Sequence, residues 1–207
     1  MGITTNVIIE NRLSQDELLN LSDQLISDKH LAEALSEFDG LYQRECPNLQ
    51  ANASAKRWHL TWAKSIQGMN PADNRLEYNP SLLAEFIGPF TTVYVHQNLA
   101  NISLYMCRWH IFLSEPEFRK PLYEATRRIA MHLNTGHATT ALFFPDSSFA
   151  ETAIEDELHC NMPDLLAWMQ NKFGPPQNAW EVIVNNDDKG YYMTHWHGNR
   201  QGDIHAL

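Results

Sequence analysis

The chain has 207 residues, 43% of them apolar and including six Trp, seven Tyr and nine Phe, which excludes a disordered polymer and is enough to fill a core in one domain spanning 1–207. Twenty-five Asp and Glu against fifteen Lys and Arg leave a net charge of −10, so phosphate backbones and anionic lipid are both repelled. Nucleic acid and membrane are therefore not expected as partners; a basic protein is the complementary choice.

The chain opens with a β-rich segment around Val7, Ile8 and Ile9, read as a first strand. Ser14-Gln15-Asp16-Glu17 is a capping box, and Leu18, Leu21, Leu25 and Ile26 follow at helical spacing, so one face is expected to be apolar. A second helix is expected from about Asp28, turning Leu31, Leu35 and Phe38 inward and stopping by Gly40, so that the two make a helical hairpin. Trp58, Leu60 and Trp62 alternate with His59 and Thr61, the period of a half-buried strand. Residues 68–80 hold Asn-Pro twice and read as a loop, and 81–87 as a short helix ended by Gly88-Pro89.

Residues 90–96 and 102–111 look like two strands joined by a five-residue polar turn, 97–101. Ser114-Glu115-Pro116-Glu117 reads as another capping box, opening a helix with Phe118, Leu122, Ala125, Ile129 and Leu133 on one stripe and Gly136 at its end. Arg119, Lys120, Arg127 and Arg128 form its basic, solvated stripe, and His132 and His137 suit the negative end of the helix dipole. Ala138–Phe144 is a further β-rich run. Helices are expected near 148–159 and from Met162-Pro163-Asp164 to Phe173-Gly174, with closing strands at 180–184 and 190–196. Hairpins separated by helices, without regular βαβ alternation, predict an α+β fold: a mixed or antiparallel sheet flanked by helices, with the helical hairpin at its N-terminal end.

Three separated cysteines, Cys46, Cys107 and Cys160, form no CxxC pair and suit a reducing compartment. Met1-Gly2-Ile3-Thr4-Thr5-Asn6 has neither a basic nor an apolar targeting stretch, so the cytoplasm is the expected location. There is no phosphate loop, dinucleotide fingerprint or nucleophile elbow, and no cofactor is expected. Oligomeric state is left open.

Two sets of residues are candidates for function. Glu151, Glu155, Asp156 and Glu157 cluster on one predicted helix, where they either cap its N-terminus or meet a basic partner. His195-Trp196-His197 places two imidazoles on one side of a strand, enough to begin a metal site if a third ligand such as Asp203 or His205 joins them; the plainer explanation is two exposed histidines around an inward Trp196. Glu155 and His159, four apart, read as a surface pair, and neither Cys107–His110 nor His159–Cys160 faces the right way for thiolate chemistry.

The junction Leu142-Phe143-Phe144-Pro145-Asp146-Ser147, with Leu165-Leu166-Ala167-Trp168 and Phe173-Gly174-Pro175 after it, is similar in layout to small α+β immunity proteins of bacterial toxin systems. The resemblance covers about the C-terminal third. It implies stoichiometric binding to a toxin, with no chemistry by this chain and no binding residue carried over. The alternative expectation is a metal-dependent hydrolase using His195 and His197.

Overall fold

Among the residues that a computed structural model describes (3–45, 59–62, 82–106, 115–144, 160–176 and 191–198), seven strands form one sheet. They are β1 (Ile3–Glu10), β2 (His59–Trp62), β3 (Leu82–Gly88), β4 (Thr91–His96), β5 (Leu99–Met106), β6 (Thr139–Phe144) and β7 (Tyr192–Trp196), in spatial order β2-β3-β4-β5-β1-β6-β7. Every described pairing is antiparallel, which resolves the expected mixed-or-antiparallel choice. The fold is α+β. β2 to β5 form a meander, while β1 is inserted between β5 and β6 and is hydrogen-bonded on both sides. A strand in that position is covered on both faces. Val7, Ile8 and Ile9 accordingly show no exposure at all.

Among the described residues four helices flank the sheet: α1 (Gln15–Ser27), α2 (Lys29–Glu45), α3 (Pro116–Leu133) and α4 (Met162–Phe173). Val7, Ile9, Phe86, Val93, Ile102 and Phe143 point into a core shared with α1, α2 and α3. Their sequence neighbours Ile8, Leu99, Leu142 and Phe144 point the other way, into a smaller cluster with Met162, Leu165 and Met169 of α4. Side-chain alternation along the strands thus sorts the residues between the two layers.

Ser14 caps α1 as expected: its Oγ accepts from the Glu17 amide while the Glu17 carboxylate accepts from the Ser14 amide. α1 and α2 meet at Asp28, but α2 packs chiefly along α3, so the expected helical hairpin is only part of a three-helix layer. Nor does α2 stop at Gly40. Leu41 and Tyr42 continue its apolar stripe, and Tyr42 packs with Phe38 and with Phe90 in the β3–β4 turn, so tertiary contacts carry the helix through the glycine.

The expected helix over 81–87 is β3 instead. Ala84 and Phe86 are buried on the helical side, Glu85 and Ile87 face away, and the segment is paired to β2 and β4. Seven residues are too few to hold a helix against two flanking strands. The β4–β5 turn is shorter than expected, only Gln97 and Asn98. At α3 the N-cap is Glu115, with no side-chain cap bond, followed by Pro116. The helix closes in a Schellman motif: the Gly136 amide donates to the Met131 carbonyl and the Thr135 amide to that of His132, with Thr135 itself at φ 51°.

Candidate functional site

Glu151, Glu155, Asp156 and Glu157 lie outside the described residues, as do the helix expected over 148–159, the loop 68–80 and the strand 180–184. His195 and His197 are described. They flank inward-facing Trp196, whose indole N–H donates to the Tyr123 hydroxyl at 2.6 Å. Both imidazoles are exposed, and their ring centroids stand 5.7 Å apart at 82°. Two imidazoles sharing one tetrahedral zinc stand about 5 Å apart by Zn–N geometry, so this pair is close to a shared bite. Thr140 Oγ1 lies 3.2 Å from His195 Nδ1. Among the described residues, however, no third His, Cys, Asp or Glu completes a metal cluster.

The basic stripe on α3 is not simply solvated. Arg119 is buried, Arg127 holds Glu124 through two hydrogen bonds, and Arg128 and His132 converge on Asp28 Oδ2 at 2.8 and 2.7 Å. The other Asp28 oxygen accepts from the Leu31 amide, capping α2. Burial of Asp28 opposes its ionisation, but the bonds from Leu31, His132 and Arg128 outweigh that and hold its carboxyl below the usual value. This cluster ties the α1–α2 junction to α3, so its role is architectural.

The surface with binding character lies on α1. Leu19 and Ile26 are 57% and 54% exposed, and Asp16 and Asp23, also exposed, alternate with them at spacings of three and four residues. One face of the helix therefore presents two aliphatic side chains, two turns apart, beside a line of carboxylates. The residues of α1 and α2 with Asp28 between them contain eight acids (Asp16, Glu17, Asp23, Asp28, Glu33, Glu37, Asp39 and Glu45) against Lys29 and Arg44. Scattered exposed aliphatics are ordinary; two on one stripe within a strongly acidic surface are the sort of pattern an interface uses.

A second polar constellation lies on the sheet face turned from α1, α2 and α3. Register places Glu85 opposite Tyr94 and Tyr94 opposite Asn101 in one cross-strand row, with Thr92, Ser103 and Asn6 in the next. Asn6, Thr92, His96 and Ser103 are each at most 5% exposed. Asn6 Nδ2 and Asn101 Oδ1 are buried without a hydrogen-bond partner, a state that costs about 1–3 kcal/mol per atom. Burial pushes the Glu85 carboxyl up and holds the His96 imidazole down at about 4. The apolar cluster beneath α4 includes no residue of β3 or β4.

Sequence reasoning missed both surfaces. Ile26, expected on the apolar face of α1, is exposed instead; the usable signals were Leu19 outside that stripe and the alternation Thr92-Val93-Tyr94-Val95-His96, which gives β4 a polar face. No protein-family model, curated protein or solved structure matches the chain. No helix among the described residues is long and apolar enough to cross a membrane.

Proposed function

We propose that the chain is a protein-binding module that neutralises a basic partner by stoichiometric association, in the manner of an immunity or antitoxin protein. The observation that carries this reading is the α1 ridge: Leu19 and Ile26 exposed on one stripe, bordered by Asp16 and Asp23. The net charge of −10 draws a cationic protein in, and the two aliphatic side chains supply apolar surface to bury once it arrives. A partner fitted to this ridge offers an apolar groove with a rim of Lys or Arg.

The test is capture from the source cells with the wild-type chain and with a Leu19→Ser, Ile26→Ser double variant. A basic protein recovered at equal stoichiometry by the wild type, weakened about tenfold or more by the double variant, and less toxic when co-expressed with the wild type supports the reading. Equal retention by both chains, or a partner whose activity the chain leaves unchanged, overturns it. Both substitutions lie on exposed positions, so circular dichroism should be unaltered.

A second reading, a metal-dependent hydrolase, is favoured by the 5.7 Å separation of His195 and His197. Elemental analysis of untagged protein decides it. About one zinc, iron or manganese per chain, lost in a His195→Ala, His197→Ala variant, supports the hydrolase; a metal content near zero removes it.

A further inference from the structure

We propose that the sheet face turned away from α1, α2 and α3 binds a small organic cation, an ammonium or guanidinium compound that also carries a carbonyl group, between Glu85, Tyr94, Asn101 and Asn6. The site is independent of the α1 ridge. Val93, Val95, Ala100, Ile102, Val7 and Ile9 point into the three-helix core, so the alternate residues of the same strands meet on the opposite face. Glu85, Tyr94 and Asn101 occupy one row across β3, β4 and β5, and Asn6 lies diagonally beyond Asn101 on β1.

Three groups in these rows, on Glu85, Asn6 and Asn101, are short of partners. Glu85 makes no ion pair or hydrogen bond among the described residues, and β1, β3, β4 and β5 contain no Lys or Arg to neutralise it. Asn6 is 3% exposed with its amide Nδ2 unpartnered, and Asn101 Oδ1 is buried and equally unpartnered. Native interiors seldom leave such groups unpaired, and a ligand that supplies the missing partners is a direct explanation.

The needs of the three groups define the ligand. The Glu85 carboxylate takes a positive charge, and Tyr94 next to it adds an aromatic ring, a favourable neighbour for a cation. Asn101 Oδ1 accepts an N–H from the same cationic head. Asn6 Nδ2 donates to an oxygen at the other end, which calls for a carbonyl or carboxylate. From β3 to β1 is three strand spacings, about 14 Å between backbones, less the reach of the two side chains. That separation calls for an extended molecule of about the size of arginine.

The test is a titration of the full-length chain with the Nα-acetylated forms of argininamide, lysinamide and citrulline amide, the last a neutral isostere of the first once its α-amino group is blocked, followed by calorimetry and amide NMR. Saturable binding of at least one cationic amide is expected, with citrulline amide about tenfold weaker or worse. Glu85→Gln, nearly isosteric and confirmed folded by its NMR spectrum, should weaken the cation by a similar factor, and Asn101→Leu should do so independently. A capped Gly-Arg-Gly peptide separates a free ligand from a side chain offered by a protein: tighter binding of the peptide than of argininamide overturns the small-molecule assignment. No saturable binding of either cation, equal binding of citrulline amide, or an unchanged affinity in Glu85→Gln also overturns it.

Discussion

Asp28 is a residue with three tasks: it ends α1, caps α2 through the Leu31 amide, and receives Arg128 and His132 from α3. Removing it leaves a half-buried guanidinium without its partner, so Asp28→Ala should lower stability by about 3 kcal/mol in chemical denaturation. Acid should act in two successive windows. The His96 imidazole is neutral in the fold, with its pKa down from 6.5 to about 4, so protons favour the unfolded chain as pH falls between those values, at a cost of about 3 kcal/mol. The Asp28 carboxyl lies below its ordinary value of 3.8, so its contribution is present above that pH and is lost only on further acidification. Glu85 works in the opposite direction, since its raised carboxyl is relieved when it takes a proton. Urea midpoints at pH 7 and pH 4 should therefore fall for the wild type and fall much less for His96→Gln.

At the scale of elements, glycines separate local preference from tertiary context. Gly40 lies inside α2, and a methyl group there would meet nothing within 4 Å. Gly40→Ala should raise stability by about 0.5–1 kcal/mol. Gly198, just past β7, is the opposite case: a Cβ would fall 2.6 Å from the Gly136 carbonyl oxygen and 2.7 Å from the Ala138 amide nitrogen. Both are backbone atoms that cannot swing aside, so Gly198→Ala should destabilise by about 1–3 kcal/mol. Thermal melts of the two variants should move in opposite directions. Gly40 also shows what was legible in the sequence. The capped start of α1, the stripe of α3 and the strand over 90–96 could be read because each is encoded within a few residues. The length of α2 and the strand character of 82–88 could not, because Phe90 and the flanking strands β2 and β4 decide them from elsewhere in the chain. The polar rows were hidden for the same reason: Asn6 and Ser103 become neighbours only through the insertion of β1.

For the whole molecule, charge and apolar surface act at different ranges. The net charge of −10 is felt by an approaching basic protein over about a Debye length, roughly 8 Å in physiological salt, whereas Leu19 and Ile26 matter only on contact. In the binding experiment proposed above, reversing Asp16 and Asp23 to lysine should therefore slow association and flatten its salt dependence. Truncating Leu19 and Ile26 should mainly hasten dissociation. The two arms separate steering from adhesion on the same surface.

The central position of β1 has a kinetic side. Val7 is registered with Ile102 on one edge and Phe143 on the other, so the strand that completes the middle of the sheet waits for partners about a hundred residues later in the chain. Until both arrive, Val7-Ile8-Ile9 is an unsatisfied, wholly apolar strand, the kind of segment that pairs with its copies in neighbouring chains. Loop closure on that scale is slow compared with forming the α1–α2 helices or the β3–β4–β5 meander. The chain thus folds with its most aggregation-prone segment exposed longest, and the carboxylates that follow it in α1 and α2 keep unfinished copies apart by mutual repulsion.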